Sequence, residues 1–441
     1  MYNADSVLAP QGRVMIRNWS GIAMAMGIVV CLLMPATVMA QRYDNPGLGQ
    51  KPVVSHPQDY KPLGIRAGSF MLHPGVHLAA EWTDNAFYTR EDKQSDTIYH
   101  IRPYISAQST WSRHSLNVTL AADIARHDKY DFRNYEDYFL TLSGRVDVKN
   151  RSYFSYGAQY MRLHEGLDNR DSEQGFEPTT YDMWGANMGY DHTFNRLSLG
   201  ANLRWARLDF DDAFALDGDE INNQDRDRDT LSWGVNAGYQ FKAGMAAYVA
   251  YSGNKTNYDE PLDRNGYDRS GNGWAVTGGM RFTLTGKLNG NVDVGYRERS
   301  YGSPELPDTS GWGFGGGLAW TPTYLTSVYG QFSSTIQDTT DPNSSGYLRN
   351  LYSVRVDHEL TRFIQINGFA SFSNNDYQLI DDAPEDVRSH DKIYRFGVGL
   401  NWFINRHVFL NASYDWGKLT TDAPDDGYTV NRVWLTLGLE R

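Results

Sequence analysis

The sequence predicts an all-β fold: a transmembrane antiparallel up-and-down β-barrel of about 18 strands. Three observations predict it. From Val76 to Leu439 the chain writes segments of roughly ten residues in which polar and apolar side chains alternate, the pattern of a wall with one wet face and one greasy face. Turn residues close each segment, and no helical period fits the runs. Aromatics make up 14% of the 441 residues, with 29 Tyr and 12 Trp, the residue types that gather where a membrane meets water. The mean hydropathy of -0.56 is compatible with such a wall, because only alternate side chains meet lipid.

At the start of the chain, Arg13 and Arg17 precede an apolar run from Gly21 to Met34. Val38-Met39-Ala40 then offers a cleavage site before Gln41, the layout of a secretory signal. Met15 is an alternative start that gives this signal an ordinary length. The run is shorter than the ~20 residues of a spanning helix. Cys31, the one cysteine, lies inside it, so the mature chain is expected to have neither disulfide nor thiol nucleophile. Residues 1–40 are therefore read as signal peptide. Residues 41–68, broken by Pro46, Pro52, Pro57 and Pro62, are read as a periplasmic segment or plug, and residues 69–441 as the barrel.

The alternation places strands at 75–84, 97–112, 114–127, 135–148, 151–163, 180–193, 197–210, 229–242 and 245–258. It continues at 273–286, 289–301, 310–321, 324–338, 347–360, 363–376, 390–404, 407–418 and 429–440. In the seventh, Leu199, Ala201, Leu203 and Trp205 alternate with Ser198, Gly200, Asn202 and Arg204. In the fifteenth, Ile364, Ile366, Gly368 and Ala370 alternate with Gln365, Asn367 and Ser371. In the last, Val433, Leu435, Leu437 and Leu439 face away from Arg432, Thr436 and Glu440. Tight connections at Asn195-Arg196, Ala243-Gly244, Thr361-Arg362 and Asn405-Arg406 alternate with long acidic ones, which leaves both termini in the periplasm. Ring closure pairs every edge, and a ring of this size encloses an aqueous channel.

The longest loop carries Asp211, Asp212, Asp217, Asp219, Glu220, Asp225, Asp227 and Asp229. Such carboxylates suit divalent cations among lipopolysaccharide phosphates, or simple solvation. Asp225, Asp227 and Asp229 lack the glycine and glutamate of a defined calcium loop, so no metal site is assigned. If the apolar set faces lipid, the channel lining comprises Arg102, Arg145, Arg204, Arg281, Arg297, Arg355, Arg395 and Arg432, with Asp123, Asp147, Asp293 and Asp357. Arginines in excess suit anionic solutes or an anionic polymer, and equally suit ion pairs that stiffen the wall. A register slip of one residue would turn any of them outward. Tyr104, Tyr248, Tyr329 and Phe369 fall on the same face, either to stack sugars or to pack a loop.

The segment Gly64-Ile65-Arg66-Ala67-Gly68-Ser69-Phe70-Met71-Leu72-His73-Pro74, followed by Glu81-Trp82-Thr83-Asp84-Asn85-Ala86-Phe87, resembles the opening of the putative beta-barrel porin 2 family. Further matching segments are Trp111 to Leu116, Arg162 to Glu165, Asn195 to Ser198, Val356 to Leu360 and Asn431 to Leu435. The resemblance spans about 64 to 439. It implies a barrel in the Gram-negative outer membrane, among lipid and lipopolysaccharide, often from loci that make exopolysaccharide. The end, Gly438-Leu439-Glu440-Arg441, departs from general barrel practice in lacking a terminal aromatic.

Four functions follow as expectations. The first is a passive exit for an exopolysaccharide, working with periplasmic export components. The second is an uptake porin for small solutes, which requires a constricting loop folded inward. An outer-membrane enzyme is the third; His164-Glu165 and Asp357-His358-Glu359 are the nearest constellations, and neither has a partnered serine, so no enzyme is expected. An adhesin-like structural barrel is the fourth. No phosphate loop, His/Cys ligand spacing or basic stripe is present, so no cofactor and no nucleic-acid partner are expected.

Overall fold

The computed structural model describes residues 60–172, 175–215, 218–423 and 427–441. The expected signal peptide, its cleavage site and residues 41–59 lie outside them. Strands Phe70–Thr83 (β1), Asp96–Ser109 (β2), Ser115–His127 (β3), Tyr135–Lys149 (β4), Ser152–His164 (β5), Thr180–Phe194 (β6), Leu197–Phe210 (β7), Arg228–Lys242 (β8) and Met245–Tyr258 (β9) make half the ring. Gly271–Thr285 (β10), Leu288–Tyr301 (β11), Thr309–Thr323 (β12), Thr326–Asp338 (β13), Ser344–Thr361 (β14), Ile364–Leu379 (β15), His390–Phe403 (β16), Val408–Thr421 (β17) and Gly427–Glu440 (β18) make the rest.

Every strand is antiparallel to its sequence neighbours, and β1 closes on β18 from Gly75 opposite Glu440 to Thr83 opposite Arg432. The fold is thus a closed 18-strand antiparallel barrel. Two expected strands, 197–210 and 245–258, coincide with β7 and β9. The first begins at Phe70 rather than 75, because Phe70 to Pro74 still pair with Ser109 to Ile105.

The alternation partitions the wall by solvent. Leu199, Leu203, Val235, Val249, Val294, Val398 and Leu435 point outward and are exposed. Trp82, Tyr99, Trp205, Trp233 and Trp274 lie outward toward the long-loop end, and Phe194, Phe241, Trp320 and Trp402 toward the tight-turn end. An aliphatic belt between two aromatic girdles is what a bilayer imposes on a barrel. A strand of 14 residues extends about 46 Å, and a tilt of about 40° leaves a rise of about 35 Å, ample for the ~25 Å apolar band.

Turn chemistry explains the short connections. Asn195 and Gly244 adopt positive φ (51° and 75°), a backbone that the glycine takes freely and asparagine tolerates. Inward rings cover glycines on adjacent strands: Tyr104 over Gly75, Tyr248 over Gly279 and Phe369 over Gly397, where any Cβ would fall within 2.8 Å of the ring. Such ring-on-glycine pairs fix register in a curved sheet.

One ladder is incomplete. β12 pairs with β13 only from Gly315 opposite Ser333 down to the turn, although both strands run on toward the loops. Above that point the β13–β14 hairpin stays internally paired but leaves β12. Its tip folds onto β11 and the first residue of β12 instead of continuing the ladder: Asp338 accepts from Arg299 on β11, and Ser345 Oγ lies 3.3 Å from Thr309 Oγ1.

Candidate functional site

The inward face carries the arginines and aspartates named from the sequence, and their surroundings divide them. Arg102 donates to Asp123 at 2.9 Å, and the same aspartate meets His100 Nδ1 at 2.9 Å. Arg355 chelates Asp357 two residues on, and Arg145 is paired likewise with Asp147 at the tight-turn rim. Arg395 and Arg432 are buried, 3.9 Å from Asp168 and 3.6 Å from Glu81. Arg281 lies over the Tyr248 ring at 4.7 Å, and Tyr248 Oη donates to Asp293 at 3.0 Å. Arg204 and Arg297 border a cavity between β7 and β13. Of the four inward aromatics, Tyr329 stands most open to the bore, 42% exposed.

A segment crosses the mouth of this bore. Loop 165–179 leaves between β5 and β6, and its residues 168–171 contact side chains at β14 to β16, eight to ten staves around the ring of eighteen. Asp171 accepts from Thr339 Oγ1 at 2.6 Å and lies 3.6 Å from Arg388 Nη2. Thr340 Oγ1 donates to the Asp171 carbonyl at 2.9 Å, and Arg170 stands 3.9 Å from Asp391.

The near end is anchored as firmly. Arg226 donates both terminal nitrogens to Glu165, at 2.9 and 2.5 Å, in a pair exposed by only 4% and 1%, with its guanidinium 4.1 Å above Phe210. Phe210 in turn packs with Tyr181, Met183 and Leu208. The return limb is held by Phe176, stacked on Phe132 at 4.4 Å. Residues 165–172 thus form a strap tied to both walls.

The whole-chain comparison decides the family. A family model described as "Putative beta-barrel porin 2" matches residues 56–441. The chain belongs to the putative beta-barrel porin 2 family. Among curated proteins, no match was found. Solved structures similar in fold to this porin-family barrel include OccAB3 of Acinetobacter baumannii, 11% identical over 85% of this chain and 100% of that one, with a TM-score of 0.44. OpdL of Pseudomonas aeruginosa is 10% identical over 85% and 99%, with a TM-score of 0.44. A mutant ferric enterobactin receptor of Pseudomonas aeruginosa in complex with enterobactin is 6% identical over 86% and 82%, with a TM-score of 0.47.

The polar constellations of this porin-family barrel are committed to structure. His164 is held by Asp137 at 2.9 Å and stacked on Tyr135, while Glu165 anchors the strap. His358 meets Thr326 Oγ1 at 2.9 Å, and Asp357 serves Arg355. Ser389 Oγ lies 2.8 Å from His390 Nδ1 and also contacts the Asp422 carboxylate.

The acidic loop is drawn into ion pairs: Asp211 with Arg162, Asp225 with Arg264 and Asp229 with Arg207. Among the described residues no group of three His, Cys, Asp or Glu is placed to hold a metal ion. Asp217 lies outside them. The strap itself is absent from the sequence-based site; its run Asp168-Asn169-Arg170-Asp171 is no different in charge pattern from other long loops such as 84–95 and 259–270.

Proposed function

We propose that the protein is a passive outer-membrane porin for small solutes, with the tight turns in the periplasm and the strapped mouth facing outward. The strap carries this reading. A segment fixed at both walls divides the mouth, so a solute passes beside it, and the passage is set by the strap rather than by the ring. The inward arginines bias that passage toward anions. Purified protein in planar bilayers is expected to give discrete channel steps with anion preference. Shortening the strap by deleting residues 167–172 is expected to raise the unit conductance. A folded protein that gives no steps, with and without the deletion, refutes the reading.

A second reading, exit of an exopolysaccharide with periplasmic export components, is favoured by Tyr329, whose ring is open to the bore where a sugar face would stack. It requires the strap to swing aside for the polymer. Surface polysaccharide that persists after gene deletion refutes it.

A further inference from the structure

Arg297 is a deeply buried arginine of the inward wall that makes no hydrogen bond. It is 3% exposed, and none of its three guanidinium nitrogens has a hydrogen-bond partner. Asp293, four residues back on the same face, acts on it through its charge but makes no hydrogen bond to it, and accepts instead from Tyr248 Oη at 3.0 Å. A buried cation without a partner is costly, and protein interiors leave such groups only where something else completes them.

Beside it lies a cavity of about 80 Å³ bordered by Arg204, Arg297, Arg299, Ser252, Asn254 and Thr256. The β13–β14 hairpin, out of the β12 ladder above Gly315, supplies Thr335, Ile336 and Asp338 to the cavity border, while β12 is bare on its inward face, with glycine at 311, 313, 315 and 317. Arg297 lies flat on this bare strand, its Cζ only 2.5 Å from where a Cβ on Gly313 would sit.

The charges around the cavity favour an anion. Asp338, also on its border, is bound in two contacts by Arg299, at 3.1 and 3.2 Å. Glu298 borders it too, but the register sets it opposite Trp274 on the outward face. Three arginines therefore meet one inward acid. The remaining lining is hydroxyl and amide: Ser252 and Thr256 are buried, and Thr256 Oγ1 lies 3.2 Å from Thr230 Oγ1. A planar guanidinium fork pairs two-for-two with carboxylate or phosphate oxygens. The volume admits several waters or one oxyanion group, with any larger body left in the bore.

We infer that this cavity is an oxyanion station, taking the carboxylate or phosphate group of a solute, with Arg297 as its principal donor. The inference stands apart from conduction, because binding is read without current.

The test is calorimetric titration of the detergent-purified full-length protein with three probes: glucuronate, inorganic phosphate and neutral glucose. Saturable binding of glucuronate or phosphate is expected, and none of glucose; which of the two binds tells a uronate from a phosphate source. Arg297→Gln is expected to weaken binding at least tenfold. Gly313→Ala, which keeps every charge but forces Arg297 off its seat, is expected to weaken it as well, and it serves should Arg297→Gln fail to fold. No oxyanion binding by the wild type, or undiminished binding by both folded variants, overturns the inference.

Discussion

Arg388→Ala is the sharpest test of the strap. The Arg388 side chain is 8% exposed and serves several partners: Asp341 at 3.3 Å, Asp171 at 3.6 Å, the Arg170 carbonyl at 3.4 Å and Thr339 Oγ1 at 3.4 Å. Truncating one partner of a buried ion pair leaves the other charge uncompensated, at a cost of about 3–5 kcal/mol. The distances here are long for charge-assisted bonds, so the low end applies. About 3 kcal/mol lowers the ratio of docked to undocked strap by roughly 100-fold. The strap keeps Thr339 Oγ1 to the Asp171 carboxylate at 2.6 Å, Thr340 Oγ1 to the Asp171 carbonyl at 2.9 Å, and the 3.9 Å approaches of Arg170 to Asp391 and Asp168 to Arg395, so the loosening is partial. Planar-bilayer recordings are expected to show a larger unit conductance and greater open-channel noise. Asp171→Ala, which also removes the bond from Thr339 Oγ1, is expected to do the same, and the double variant to fall short of the sum of the two, since the contact between Arg388 and Asp171 is lost in both. Wild-type conductance and noise in both single variants would refute the claim that this clasp holds the passage narrow.

Further expectations follow from particular side chains. Leu435, outward and 60% exposed at mid-strand, should not tolerate charge: Leu435→Arg is expected to cost about 2–4 kcal/mol in lipid, whereas Gln331→Lys on the wet face is expected to be near neutral. Heat-dependent mobility in gels reads both, and equal losses would contradict the assigned faces. Gly438 lies under Phe409, whose Cε1 would be 1.9 Å from an added Cβ, so Gly438→Ala is expected to lower stability by about 1–3 kcal/mol through overpacking; an unchanged unfolding midpoint would argue against that ring position. Asp227, in the long loop before β8, has its pKa pushed up to about 6, first by burial and then by Asp209 and Asp259 against the pull of the Phe210 backbone N–H. Its protonated form is therefore favoured in the folded loop, so the stability it contributes is full below its ordinary 3.8 and is lost as pH rises through about 6. Limited proteolysis of the loops is expected to be faster at pH 7.5 than at pH 5, and Asp227→Asn to remove most of the difference; pH-independent cleavage in the wild type would refute it.

The wall was legible because its signal is local. Alternation in β7 and β9 is written in the fourteen residues of each strand, and Arg355 with Asp357 can be read as a pair two positions apart on one face. The strap was not legible, because its ties are not local: Asp171 and Thr339 are 168 residues apart, and Arg388 reaches a carbonyl 218 residues away. No period or motif records which loop turns inward. The Arg297 cavity lies between these cases. Glycine at every inward position from 311 to 317 was visible as a pattern, but its meaning depended on the hairpin tip leaving β12, a tertiary event with no local signature.

These two features show the same residue type used in opposite ways. At Glu165–Arg226 the guanidinium is fully answered, so removing either partner exposes a buried charge and the pair acts as a fixed anchor. At Arg297 the guanidinium is buried with no hydrogen bond, which lowers stability and leaves that bonding capacity for a solute. A wall built only for strength would pair Arg297 or replace it, and the bare β12 face beside it supplies neither a partner side chain nor an apolar filling. The cost is therefore concentrated at one place on the inward surface, where a passing oxyanion is the group best able to relieve it.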